Sequence, residues 1–186
     1  MDLYPGYYFH IFNRSNNNEI VFKEAENFLY FLKKYRHYLD DLITTLAYCL
    51  MPTHFHFLVY ISSEDVERIQ QNIGVLLSSY AKAINKRYKR HGSLFQSHTK
   101  AVLIKNEKHL LLAVAYIHQN PVHAGIVKMP EEWTYSSYRD YIGIRNGTLP
   151  ETKTILERFS SSKEFIEFSS REIPDDDINV ISGRNN

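Results

Sequence analysis

The sequence predicts an α+β domain of the split βαβ, ferredoxin-like kind, in which an antiparallel sheet carries helices on one face and a C-terminal extension follows. Three observations carry that prediction. Strand-like and helix-like stretches follow one another in the order β-α-β-β-α-β with a further helix behind them. The apolar spacing switches between a period of two and a helical period along the chain. At 186 residues and 44% hydrophobic content, the chain has the size of one domain and enough apolar mass for a proper core.

"GYYFHIFNRS", residues 6–15, alternates and is rich in aromatics, a first strand ending in the loop "NRSNNNE". "KEAENFLYFLKKYRHYLDD" sets Phe28, Phe31, Leu32, Tyr35 and Leu39 at helical spacing. "LITTLAYCLMPTHFHFLVYIS" is β-branched and aromatic but broken by Pro52. Proline interrupts a central strand, so this stretch predicts a hairpin with "MPT" at its turn. "SSEDVERIQQNIGVLLSSYAKAINKRYKRHG" opens on serine and acids and closes on Gly92, a well-marked helix. "SLFQSHTKAVLI" supplies the next strand, and "NEKHLLLAVAYIHQNPVHAG" a helix capped by Asn106 and ending near Asn120 and Pro121. Residues 1–145 are thus expected to form the main domain, and 146–186 a loosely packed or partly disordered tail with one short helix through "SKEFIEFSS".

Composition narrows the function classes. No apolar run approaches the roughly 20 residues of a membrane span, and "MDLYPGYYFH" lacks the pattern of a signal peptide, so a cytoplasmic location is expected. The single Cys49 excludes an internal disulfide and a cysteine-based zinc cage. The net charge of +1 hides an uneven distribution. Residues 68–110 hold nine Lys or Arg against one acid, Glu107, while residues 131–186 hold eleven acids against seven bases. A basic middle is the footprint of phosphate binding, although a solvated helix face is the commoner origin of such a run.

The chemistry centres on "MPTHFHFLVY". Side chains alternate along a strand, so His54 and His56 share one face while Phe55, Phe57 and Val59 take the other. Two readings stand: hydrogen-bonded core imidazoles, or a two-nitrogen metal clamp. In "AYIHQNPVHAG", Tyr116 and Asn120 are four residues apart and share a helical face. An amide oxygen could then be a third ligand beside a phenol nucleophile. Against this, Tyr116 is one of 14 tyrosines, and Asn120 could simply end the helix before Pro121. His118 falls elsewhere on the helix and has no evident place in the cluster.

Taken together, "MPTHFHFLVY", "GSLFQSHTKAVLI" and "YIHQNPVHAGIV" resemble the HUH single-tyrosine transposases, most of all the REP-associated tyrosine transposases, over about Tyr8 to Tyr141. The resemblance implies a ferredoxin-like catalytic domain in which His54 and His56 bind a metal and Tyr116 is the nucleophile. Asn120 takes the place of a polar third ligand that is Gln in some relatives. It further implies a metal-dependent transposase or endonuclease that cleaves and rejoins single-stranded DNA near hairpins through a 5′-phosphotyrosine. Two imidazoles and an amide suit Mn²⁺ better than Mg²⁺, although abundant Mg²⁺ could override that preference. With one tyrosine per chain, complete transfer needs either a homodimer or sequential use of one site. The expected partner is single-stranded DNA with a palindromic hairpin, held by Lys82, Lys86, Arg87, Lys89, Arg90 and Lys100 among stacking Tyr80, Tyr88 and Phe95, with Arg14 in a polar loop. The rival readings are a domesticated palindrome-processing nuclease with the same residues, and a non-catalytic nucleic-acid-binding regulator in which Tyr116 only packs. A metallohydrolase using activated water is disfavoured because paired-acid patterns are missing from the sequence.

Overall fold

The computed structural model describes residues 1–184. Four strands, β1 (Tyr8–Arg14), β2 (Ile43–Met51), β3 (His54–Ile61) and β4 (Lys100–Ile104), form one sheet in the order β2-β3-β1-β4. All three neighbouring pairs are antiparallel. With α1 (Ala25–Leu39) after β1 and α2 (Val66–Tyr88) after β3, this is the split βαβ arrangement expected from element order, and the protein is an α+β fold.

Strand alternation sorts the chain into two cores. Phe9 and Ile11 of β1 and Phe55, Phe57 and Val59 of β3 meet Phe31 and Tyr35 of α1 and Ile73, Leu76 and Tyr80 of α2. Tyr35 stacks on Phe57 with ring centroids 4.0 Å apart, and Phe31 meets Tyr80 edge-on at 5.0 Å. Each such side chain contributes about 1.5–3 kcal/mol by leaving water, so this face anchors the sheet. Asp65 caps α2 by accepting the Arg68 N–H at 3.0 Å.

The opposite face, expected to be bare, is instead covered by α3 (Glu107–His123), whose apolar Leu110, Ala113, Val114 and Ile117 pack with Cys49 and Met51 of β2, Leu58 of β3 and Ile104 of β4, so helices lie on both faces of the sheet. Asn106 caps it, accepting the His109 N–H at 2.8 Å. The helix runs past its expected end, with Pro121 inside its last turn. Proline there removes one N–H, and the turn still closes because Ala124 N–H donates to the Asn120 carbonyl at 2.9 Å.

The expected loose tail takes a different form. After α4 (Tyr138–Tyr141), the chain builds α5 (Lys153–Leu156), α6 (Ser162–Ser169) and α7 (Asp175–Ser182). Ile155, Phe165, Ile173 and Ile181 are buried in the core that α3 shares. α6 falls on the one short helix expected through "SKEFIEFSS"; the tail helices span only one to two turns and anchor through one or two residues each, too little chain for the pattern to stand out. Positions 185–186 of that segment lie outside the described residues. No helix among the described residues is long and apolar enough to cross a membrane.

Candidate active site

The β1–β3 register sets Phe12 opposite His56 and Arg14 opposite His54. These side chains therefore share the face under α3, together with His10 two residues before Phe12. The helix crosses above them, bringing the Tyr116 ring centroid to 5.8 Å from that of His56 and 5.9 Å from that of His10. His54 and His56 are perpendicular at 5.0 Å. A cleft of about 550 Å³ opens over this group, lined by His54, His56, Tyr116 and Asn120, with Arg14 and Lys100 on its basic side and Ser182 and Arg184 from the end of the chain.

The amide and the three imidazoles are oriented by nameable contacts. Asn120 Nδ2 lies 2.7 Å from the Tyr116 main-chain carbonyl. A carbonyl only accepts, so the amide nitrogen is committed there and Oδ1 is the end left for a ligand. His54 Nδ1 is 3.0 Å from Thr53 Oγ1, which leaves Nε2 available. His56 Nδ1 is 2.9 Å from His10 Nε2, and His10 Nδ1 is 2.7 Å from the carbonyl of Ile181. His56 Nε2 is buried without a protein partner. Among the described residues no three His, Cys, Asp or Glu side chains form a metal-binding group, so an ion at this place would have to rest on two imidazoles and an amide oxygen. The orphaned Nε2 of His56 and the oriented Oδ1 of Asn120 fit that donor set.

Burial governs the protonation of the cluster. It lowers His54 to about 4, assisted by the positive charge of Arg14 and opposed by Asn120. His56 is held well below its ordinary range, first by burial and then by His10, His54 and Arg184. Burial also lowers His10 to about 4. All three imidazoles are neutral at pH 7, the form that offers a lone pair. Burial pushes the Tyr116 phenol upward, with Arg184 and Asn120 acting in the opposite direction. Unaided, the phenol is a weak nucleophile at neutral pH.

The basic residues divide among several places. Arg14 and Lys100 line the cleft. Lys82, Lys86, Arg87 and Lys89 belong to α2 and its C-terminal cap, and Lys86 and Arg87 border a separate hollow with Glu26 and Tyr30. Arg87 pairs with Glu24 and Glu26 at 3.0 and 2.8 Å, and Arg90 pairs with Glu19 at 2.6 Å. Tyr80 and Phe95 are buried in the core and not available for stacking on bases; Tyr88 is half-buried, its hydroxyl donating to Glu24. His118 is fully buried, 2.8 Å from Ser137 Oγ and away from the cleft.

Sequence reasoning missed His10 and Arg184. His10 carried a usable signal, a lone imidazole in an aromatic strand on the parity of Phe12. Arg184 carried none, because its arrival depends on how α7 packs.

No protein-family model matches the chain. It is 27% identical over 103 residues to a curated putative REP-associated tyrosine transposase of Haemophilus influenzae, a match covering 50% of this chain and 58% of that protein. The chain is similar to REP-associated tyrosine transposases. It spans less than two thirds of that curated relative's length. A solved structure of a REP-associated tyrosine transposase bound to a REP hairpin superposes with a TM-score of 0.59 at 18% identity, covering 81% of this chain and 98% of that one. The likeness extends to the α+β fold, and agrees with the resemblance carried by the three sequence motifs.

Proposed function

We propose that the protein is a metal-dependent DNA strand transferase that cleaves and rejoins single-stranded DNA beside a hairpin, with Tyr116 as nucleophile. The observation that carries this reading is the convergence in one cleft of a phenol, two neutral imidazoles and an oriented amide oxygen. The curated relative's name and the hairpin bound in the similar structure support the substrate class. His54, His56 and Asn120 would hold a divalent ion, Mn²⁺ or Mg²⁺. When bound, that ion supplies positive charge to a non-bridging oxygen of the scissile phosphate.

The chain's own residues do the rest. Tyr116 stands on a long helix packed on the sheet, so its backbone position over the cleft is set before the strand arrives. A bond forms between that oxygen and phosphorus as the bond from phosphorus to the 3′-oxygen breaks. The phenolic proton is lost and the departing 3′-oxygen gains one, so the products are a 5′-phosphotyrosine and a 3′-hydroxyl. The phosphoester bond is conserved in number, and the reverse step rejoins strands without a nucleotide cofactor. Arg14, Lys100 and Arg184 surround the cleft with positive charge for the phosphates.

The test is a covalent adduct between the full-length protein and a labelled single-stranded hairpin oligonucleotide, with Mn²⁺ present. Wild type forms the adduct and Tyr116→Phe does not, while both bind the hairpin alike. An adduct of equal yield with Tyr116→Phe would overturn the nucleophile assignment.

A further inference from the structure

We propose that His10 is a positioning residue that fixes the tautomer of His56, and that the C-terminal helix α7 is built into the metal site through it. The inference rests on the reading of His56 as a metal ligand. It follows from which atoms can donate and which can only accept.

The last carbonyls of a helix have no partner within it. At the end of α7, the N–H groups of Gly183 and Arg184 both return to the Asn179 carbonyl. The Ile181 carbonyl is left to accept from His10 Nδ1 at 2.7 Å. A carbonyl cannot donate, so the proton is on His10 Nδ1. A neutral imidazole carrying its proton on Nδ1 has a lone pair on Nε2. That lone pair faces His56 Nδ1 at 2.9 Å, so His56 must donate from Nδ1 and keep Nε2 bare.

The alternative has a high cost. A doubly protonated His10 could reverse the second bond, but His10 is fully buried and its hydrogen-bond partners among the described residues are the Ile181 carbonyl and His56. No acid offsets a charge there, and an unpaired buried cation is strongly disfavoured. The relay therefore runs in one direction, from the helix carbonyl through two rings to a buried nitrogen without a protein partner. The two rings lie near-parallel with centroids 5.0 Å apart, and so fix each other's planes as well. An outer partner of this kind typically changes metal affinity by about 10–100-fold, because it removes the wrong tautomer and wrong ring orientations before the ion arrives.

The experiment uses full-length protein carrying ¹⁵N-labelled histidine. Nitrogen-resolved NMR without metal reads the tautomers, and calorimetric titration with Mn²⁺ alone reads affinity. In the wild type both His10 and His56 carry their protons on Nδ1. His10→Phe removes the acceptor: His56 then samples the Nε2–H form and the Mn²⁺ dissociation constant rises by about 10–100-fold. His10→Gln, whose amide oxygen can accept from His56, restores most of the affinity. An Nε2–H tautomer of His56 in the wild type overturns the proposal, as does folded His10→Phe binding Mn²⁺ within about twofold of wild type. If His10→Phe does not fold, the wild-type tautomers decide by themselves. Wild-type protein that fails to bind Mn²⁺ while showing the expected tautomers would overturn the metal-site reading and leave the hydrogen-bond relay standing, so the two failures are distinguishable.

Discussion

Replacing Gly183 with alanine tests how firmly the end of α7 is seated against the sheet. Gly183 has a φ of +63°, in the left-handed region where a side chain costs roughly 1–2 kcal/mol. A Cβ at that position would also lie 2.7 Å from Val102 Cγ2 on β4. That is about 1 Å inside ordinary van der Waals contact, and overpacking of this kind adds about 1–3 kcal/mol. The expected loss for Gly183→Ala is therefore about 2–5 kcal/mol, read as a lower urea midpoint at unchanged m value. The two costs have separate origins and a double-mutant cycle divides them. Val102→Ala deletes the colliding methyl, so in that background the glycine substitution should cost only the backbone part, about 1–2 kcal/mol. The Ile181 carbonyl sits two residues before the glycine, so Mn²⁺ affinity should weaken in Gly183→Ala and recover in the double variant. A cost below about 0.5 kcal/mol, or the same cost in both backgrounds, would mean that α7 is not seated tightly on β4.

Other outcomes can be checked independently. Mn²⁺ at about one hundred times its dissociation constant should stabilise the wild type by about 2.7 kcal/mol in thermal or urea unfolding, and chelation should reverse this; His54→Ala should show no such gain. Arg14→Glu with Lys100→Glu should weaken hairpin binding and flatten its salt dependence by roughly 1.4 in log–log slope, about 0.7 for each single-strand phosphate that is no longer neutralised. Lys82→Glu with Lys86→Glu, away from the cleft, should change that slope less, and equal effects in a salt titration would place the DNA on α2 instead. Burial lowers His118 from its ordinary 6.5 to about 3. Between those values the unfolded chain binds the extra proton, so stability should fall as pH falls through that window, by at most about 1.4 kcal/mol per pH unit from this residue. A urea series at several pH values, compared with His118→Leu, should show the smaller slope in the variant.

Much of the frame is local and therefore legible in the chain. Alternation in "HFHFLV" is enough to send His54 and His56 to one face and Phe55, Phe57 and Val59 to the other, because successive side chains of a strand leave on opposite sides whatever surrounds them. The four-residue spacing of Tyr116 and Asn120 has the same character, since it follows from the helical period. Element order then confined the antiparallel topology to few choices. The meeting of His54 and His56 with Tyr116 and Asn120 was legible through the family resemblance, whereas most other relations between elements far apart in sequence were not. The basic run on α2 looked like a binding surface because the partners of Arg87 and Arg90, Glu24, Glu26 and Glu19, lie 60 or more residues earlier. The tail looked loose because helices of four to eight residues make only one or two turns, and their stability comes from single side chains such as Phe165 and Ile181 entering a core that α3 has already built. The contact from His10 to the Ile181 carbonyl spans 171 residues. Composition and spacing determine which groups can do chemistry here, whereas the tautomer, the buried lone pair and the arrival of Arg184 at the cleft exist only once packing has brought the last helix against the first strand.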